Sequence, residues 1–154
     1  MTQAIDTFLT TVAEAVAEAK VPVVDLIAVQ TQDPYRVLVA TILSARTKDE
    51  TTAEAASRLF ARASDPQQLA TLKRDEIEGL IYPVGFFRNK AKYLSQLPEA
   101  LEKHNNLVPD TMGDLLALPG VGRKTANLVL SVAFKKDAIC VDPHVHRIMN
   151  IWGY

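Results

Sequence analysis

Apolar residues recur at helical spacing along most of this chain, with charged residues on the opposite side. Residues three and four apart lie on one face of an α-helix, so each such stretch predicts an amphipathic helix. The longest stretches are residues 3–19, 34–45, 50–62 and 86–105. With no convincing strand between them, the pattern predicts an all-α fold of about eight short helices packed on one another.

Three Asp-Pro pairs mark predicted helix starts, at Asp33-Pro34, Asp65-Pro66 and Asp142-Pro143. The Asp side chain can accept a hydrogen bond from a free N–H of the first turn, and proline suits the first helical position. Asp49 is predicted to cap the helix at 50–62 in the same way. For Asp142 the cap is one interpretation, and a chemical role is another.

Other expectations concern the packing of these helices. The first helix stops before Pro22, so residues 21–32 are interpreted as a connection. The buried face of the second helix is expected to include Ala45, and that of the third Ala53. Pro98 is expected to bend or interrupt the helix at 86–105.

Residues 118–126 read LPGVGRKTA and lie between two apolar helical runs. Pro119 cannot continue a helix interior, and Gly120 and Gly122 permit backbone angles closed to other residues. The pattern therefore predicts a helix, a tight hairpin and a second helix over about 112–134. Free N–H groups at the start of the second helix can bind an anion such as a DNA phosphate. The alternative is an ordinary tight turn between two helices.

The composition is that of a globular protein. The 154 residues suffice for a single domain, 1–154, with a sizeable core. The net charge of −1 does not announce nucleic-acid binding, so a DNA-binding face needs a local asymmetry of charge. One cysteine, no apolar run of membrane-spanning length and no targeting signal predict a reducing compartment, the nucleoid-associated cytoplasm if the source is bacterial.

Lys124 and Asp142 form the candidate reactive pair. A lysine attacks a sugar carbon only as a neutral amine, which requires a pKa of about 7–8 instead of about 10.4. Arg123 and the positive end of the helix both favour such a shift. The alternatives are a lysine that only binds phosphate and an aspartate that only caps a helix.

The stretch at 118–126, followed by VDPHVHR at 141–147, resembles the helix-hairpin-helix DNA glycosylases, and most closely the endonuclease III group. The resemblance implies a base-excision-repair enzyme that acts on damaged bases or abasic sites in double-stranded DNA. In that family the lysine matching Lys124 is the nucleophile and the aspartate matching Asp142 its essential partner. The implied reaction removes a flipped base through a lysine Schiff base and cuts the strand by β-elimination. Oxidised pyrimidines are the substrates that the resemblance implies.

The resemblance also implies which residues contact DNA. The loops carrying Arg46 and Phe86 match the two loops that the family pushes into the duplex. Arg46 is otherwise interpreted as part of a solvated helix junction and Phe86 as a core residue, while the core is favoured for Phe87. The other predicted DNA-binding residues belong to the hairpin or follow Asp142: Leu118, Gly120, Val121, Gly122, Arg123 and His144.

The sequence departs from the family pattern in its cysteines. Endonuclease III usually continues through further helices to four cysteines that bind a [4Fe–4S] cluster, and Cys140 alone cannot supply four thiolates. We therefore expect no cofactor within this chain. We also expect no metal site, because Cys140 with His144 and His146 is a poor ligand set.

On this basis the C-terminal part of the fold is expected to be truncated, either in a fragment or in a minimal form. The helix at 3–19 would pack on the missing half, so we expect exposed apolar surface and possible self-association. Two other functions stay open. One is a non-catalytic helix-hairpin-helix DNA-binding module or inactive fragment, and the other is a mismatch-specific adenine or thymine glycosylase. Lys124 argues against the second.

Overall fold

The computed structural model describes the backbone of residues 2–153 and the side chains of residues 4–153. The two end residues of the predicted domain 1–154 lie outside this description. Within it the fold is all-α, as predicted, with more helices than the sequence pattern indicated. They are α1 (Thr2–Val16), α2 (Val23–Thr31), α3 (Pro34–Ser44), α4 (Asp49–Arg62), α5 (Pro66–Leu69), α6 (Arg74–Ile81), α7 (Phe87–Glu102), α8 (Met112–Leu116), α9 (Arg123–Val132) and α10 (Pro143–Trp152).

Helix α3 lies at the centre of the fold and contacts α2, α4, α7 and α9. Residues 37–43 are all buried, so this part of α3 has no solvent-facing side. A helix that is apolar all round is stable only in a protein interior. The main hydrophobic core surrounds it and includes side chains of α4, α6, α7 and α9.

The predicted connection at residues 21–32 is wrong, because most of it forms α2. Val23 and Val24 are buried against α3 in a small second cluster. The segment is rich in β-branched residues, which have low helix propensity and gave no clear amphipathic stripe. Packing against α3 therefore stabilises a helix that the local sequence does not predict.

The predicted cap of α4 by Asp49 is also wrong. Lys48 is the N-cap residue of α4, and its side chain makes no capping hydrogen bond there. The carboxylate of Asp49 instead accepts a hydrogen bond from the backbone N–H of Val23, at 3.2 Å. This bond satisfies a free donor at the start of α2 and ties that helix to α4.

Two predicted core residues are exposed. Ala45 lies beyond the end of α3, and Ala53 of α4 faces solvent because Thr52 and Ala55 take the buried positions. The interruption expected at Pro98 does not occur, since α7 continues through that residue.

The three Asp-Pro helix starts are confirmed. Asp33 accepts from the N–H of Tyr35 at 3.0 Å, and Asp65 accepts from that of Gln68 at 2.7 Å. Asp142 does the same at the start of α10. These short bonds fix where each helix begins.

The two ends of the described chain meet through one aromatic contact. The rings of Phe8 in α1 and Trp152 in α10 lie 4.3 Å apart between centroids. None of the described residues of α10 is buried, and apolar side chains such as Leu9 and Ile151 remain exposed. Exposed apolar surface was expected here, while self-association and the packing of the first helix on a further half stay predictions. No helix among residues 2–153 is long and apolar enough to cross a membrane.

Candidate DNA-processing site

The predicted hairpin is confirmed, with α8 before it and α9 after it. Gly120 has a φ of +75°, and a side chain there would meet the ring of Tyr93 at 2.9 Å. Gly122 is the N-cap residue of α9 and supplies no side-chain acceptor. The first N–H groups of α9 therefore have no side-chain cap, and they can bind an external anion.

The predicted hairpin residues divide into buried and exposed ones. The side chains of Leu118 and Val121 are buried in the main core, so they hold the hairpin in place and leave only their backbone for an outside partner. Arg123 and Lys124 are exposed at the start of α9. Their charges are accessible to a phosphate backbone.

Asp142 is the N-cap residue of α10, and its carboxylate accepts a hydrogen bond from the N–H of Val145 at 2.8 Å. This bond is the largest of the influences that hold the pKa of Asp142 below its ordinary value. The N–H and the ring of His144, and the ammonium of Lys124, lower it further. Asp142 is therefore a fixed carboxylate within electrostatic reach of Lys124.

Cys140 interacts electrostatically with both Lys124 and Asp142. Burial raises the pKa of its thiol, Lys124 lowers it, and Asp142 raises it. The structure thus brings together the end of the 138–141 segment, the start of α9 and the start of α10. Both predicted reactive side chains lie at helix N-termini, on the same part of the surface.

The histidines next to Asp142 do not form a metal centre. His144 and His146 are exposed, and the ring of His146 lies 3.2 Å from the side-chain nitrogen of Asn150. Within the described residues, no group of three or more His, Cys, Asp or Glu side chains is arranged to hold a metal ion. The residues present also do not fit a [4Fe–4S] cluster, because the sequence contains one cysteine.

Arg46 and Phe86 lie together on two adjacent loops. Both have a left-handed backbone, with φ of 52° and 55°, which is uncommon for residues other than glycine. The guanidinium of Arg46 stacks over the ring of Phe86, 5.6 Å from its centroid. Phe86 is 58% exposed, so its interpretation as a core residue is wrong. Phe87 packs partly against the core and contacts Tyr82 edge to face, as favoured.

A cavity of about 260 Å³ lies beneath this pair. Its lining includes Arg46 and Phe86 from the two loops, Tyr93 of α7 and Gly120 of the hairpin. The cavity therefore joins the two loops to the hairpin. Lys90, which also lines the cavity, is a functional candidate that the sequence reasoning missed. It occupies the apolar stripe of α7, four positions before Leu94 and seven before Leu97, and a lysine in such a stripe was the signal.

The fold and the paired helix N-termini define a helix-hairpin-helix protein with a candidate lysine–aspartate site. A family model described as "HhH-GPD superfamily base excision DNA repair protein" matches residues 39–154. The chain belongs to this superfamily.

Two relatives of this chain are an endonuclease III and an endonuclease III-like protein. The chain is 50% identical to endonuclease III of Thermotoga maritima over 123 residues, which cover 79% of this chain and 58% of that protein. It is 44% identical to endonuclease III-like protein 1 of Mus musculus over 118 residues, 75% of this chain and 39% of that protein. It thus spans between 39% and 58% of the length of these relatives.

A solved structure extends the similarity to three dimensions. The chain matches a trapped endonuclease III–DNA covalent intermediate with a TM-score of 0.85 and 36% sequence identity. The match covers 96% of this chain and 67% of the other. The architecture described above is therefore that of an endonuclease III fold over nearly the whole chain.

Proposed function

We propose that this chain is a base-excision-repair DNA glycosylase with AP lyase activity, with Lys124 as the nucleophile. The observation that carries the proposal is the arrangement of Lys124 and Asp142 at two neighbouring helix N-termini, where the carboxylate lies within electrostatic reach of the amine. A covalent intermediate with DNA, as in the matching endonuclease III structure, requires such a nucleophile. The similarity to endonuclease III supports the same chemistry here.

The proposed reaction begins with a damaged nucleotide turned out of the duplex, at a cost of a few kcal/mol. The neutral amine of Lys124 attacks C1′ of the sugar, the C1′–N bond breaks, and the base leaves with the bonding electrons and takes up a proton. Asp142 stabilises the positive charge that develops on the sugar as the base departs. The amine nitrogen then loses a proton, its lone pair forms the C1′=N iminium as the C1′–O4′ bond breaks, and O4′ takes up a proton to become a hydroxyl. Loss of a proton from C2′ then expels the 3′ phosphate, which cuts the strand by β-elimination.

DNA is held by groups that read no sequence. The uncapped N–H groups of α9 bind a backbone phosphate, and Arg123 adds a charge beside them. Arg46 and Phe86 enter the duplex and fill the space that the extruded nucleotide leaves. Arginine suits this position because its guanidinium stacks on bases and donates to them.

Borohydride trapping tests the proposal. Duplex DNA carrying one abasic site or one thymine glycol is incubated with the protein and reduced, and the covalent adduct is measured for the wild type, Lys124→Ala and Lys103→Ala. We expect an adduct with both substrates, lost in Lys124→Ala and retained in Lys103→Ala, which removes an exposed lysine at the far end of α7. An adduct that persists in Lys124→Ala would contradict the assignment of the nucleophile.

The same experiment separates the other functions. An adduct at the abasic site alone defines a lyase without base removal. DNA binding without any adduct would overturn the enzyme and leave a helix-hairpin-helix binding module. A duplex with one mismatched adenine or thymine serves as a third substrate, and excision from it without an adduct would instead indicate a mismatch glycosylase. Oxidised pyrimidines are the proposed substrates because the chain resembles the endonuclease III group.

A further inference from the structure

Lys90 is the one charged residue among the buried residues that the structure describes, with 5% of its surface exposed. Its position in α7 lies beneath the loops that carry Arg46 and Phe86. Burial lowers the pKa of its ammonium to about 8. A buried ammonium costs free energy unless each of its N–H donors has a hydrogen-bond acceptor.

All three donors of Lys90 reach oxygens of one short segment. Nζ donates to the carbonyl of Leu43 at 2.8 Å, to that of Ala45 at 2.6 Å and to the hydroxyl of Thr47 at 3.2 Å. These acceptors lie on both sides of Arg46. The bond to Leu43 also satisfies a carbonyl in the last turn of α3, where intrahelical partners end.

The second loop is joined to the same segment. The N–H of Gly85 donates to the hydroxyl of Thr47 at 2.9 Å. A side chain at residue 85 would meet the backbone oxygen of Arg46 at 2.5 Å, so the two loops touch through their main chains. Lys90, Thr47 and Gly85 thus form a continuous chain of contacts beneath Arg46 and Phe86.

Both projecting residues need such support. Arg46 and Phe86 each have a positive φ, which costs free energy and persists only where the surroundings impose it. Their side chains also contact each other. Fixing them before DNA binds removes the ordering cost that flexible loops would pay on binding.

We propose that Lys90 is a positioning residue that locks the 45–47 loop to the start of α7, so that Arg46 and Phe86 enter DNA as one preset wedge. This role rests on the proposed function, because it presumes that the two side chains enter a duplex. It does not place Lys90 in contact with DNA. A lysine that only capped α3 would affect stability without affecting the discrimination between duplex and single strand.

The test compares Lys90→Met with Lys103→Met, the same substitution at the exposed C-cap residue that follows the last residue of α7. Methionine has a similar length but no donors. Thr47→Val is a second variant, which removes the shared hydroxyl and leaves the buried lysine in place. Each is measured on a duplex that carries a tetrahydrofuran abasic analogue opposite 2-aminopurine, whose fluorescence reports insertion of a side chain. Borohydride trapping on a single-stranded abasic oligonucleotide is the control measurement, because a single strand has no base pairs for a wedge to separate.

We expect Lys90→Met to weaken binding to the abasic duplex by about 10–100-fold, as small misplacements of positioning groups do, and to lose the 2-aminopurine signal. Trapping on the single strand and the behaviour of Lys103→Met should stay unchanged. Thr47→Val should show a smaller loss in the same direction. In hydrogen exchange, the N–H of Gly85 should exchange faster in both variants, while those of Leu94 and Leu97 in the middle of α7 keep their protection.

The other outcomes distinguish a failure of the positioning role from a failure of the proposed function. If Lys90→Met and Thr47→Val keep the duplex affinity and the fluorescence change, the positioning role is overturned and the proposed function stands. If the wild type gives neither an adduct nor a response to the abasic duplex, the proposed function fails and the wedge role fails with it. If Lys90→Met loses protection uniformly along α7 while Lys103→Met does not, Lys90 serves stability alone and the positioning role is overturned.

Discussion

The wedge region and the reactive region of this protein are supported in opposite ways. Arg46 and Phe86 project from loops that rest on α7, a helix whose apolar stripe, including Leu94 and Leu97, is fully buried. Asp142 starts α10, in which none of the described residues is buried. The first region is positioned by core packing. In the second, Lys124 starts α9, which is packed in the core, whereas Asp142 depends on one cap and the local start of α10.

The difference indicates what fixes the shape of the wedge and what fixes the orientation and charge of the carboxylate. A wedge must keep its shape against the stacked bases that it separates, so anchoring it in the core is effective. A carboxylate beside a developing cation must keep its orientation and its charge. The hydrogen bond from Val145 provides both, because it fixes the side chain and holds its pKa below the ordinary value. Such a site needs little of its own helix to be buried.

The largest difference between the regions should appear in stability. Leu94→Ala removes a fully buried side chain of α7 and should lower the free energy of unfolding by about 2–5 kcal/mol. Ile148→Ala removes a similar side chain from exposed α10 and should change it by less than about 0.5 kcal/mol. Urea unfolding followed by circular dichroism measures both. Equal losses would show that α10 is packed as tightly as α7.

A pair of substitutions at Asp142 separates its cap from its charge. Asn also caps helices well, so Asp142→Asn should preserve the hydrogen-exchange protection of α10, whereas Asp142→Ala should reduce it. Both should lower the rate of adduct formation by about 100-fold, as loss of an electrostatic stabiliser does. A rate in Asp142→Asn close to that of the wild type would leave Asp142 as a cap alone. Lowering the pH should also destabilise the start of α10. The pKa of Asp142 is lower in the folded than in the unfolded chain, so its ionised cap stabilises the folded state above the unfolded pKa, and this contribution is lost as the pH falls through the folded pKa.

Gly85→Ala tests how closely the wedge loops must approach. Its added carbon would lie 2.5 Å from the backbone oxygen of Arg46, so one of the two loops would have to move. We expect a destabilisation of about 1–3 kcal/mol, with weaker binding to an abasic duplex. Gly79→Ala is the matched control, because nothing lies within 4 Å of that position in α6, and it should stabilise by about 0.5–1 kcal/mol. Tolerance of Gly85→Ala with full DNA affinity would show that the loops move freely.

The sequence predicted those features that depend on neighbouring residues. The Asp-Pro caps and the hairpin around Gly120 depend on spacings of a few residues, and the structure confirms them. The features that it missed depend on distant partners. Helix α2 forms because α3 covers Val23, and Asp49 turns away from α4 because the N–H of Val23 lies within its reach.

The candidate site shows the same division. Lys124 and Asp142 could be selected because each lies in a local motif, although their electrostatic contact across the fold could only be expected by resemblance. Lys90 was visible in the sequence as a charge on an apolar stripe. Its three acceptors lie more than forty positions earlier in the chain, so its role required the structure.

The smallest predicted effect is a dependence of stability on pH that belongs to the wedge region alone. Burial lowers the pKa of Lys90 to about 8, whereas a lysine in the unfolded chain titrates near 10.4. Between these values the unfolded chain binds more protons, so the contribution of Lys90 to stability should rise as pH increases from about 8 to 10. Above pH 10, Tyr35 opposes the rise, because burial raises the pKa of its phenol and the folded state disfavours ionisation. Urea unfolding across this range should therefore show a rise in the wild type relative to Lys90→Met, and parallel curves would mean that the three oxygen acceptors keep the buried ammonium charged.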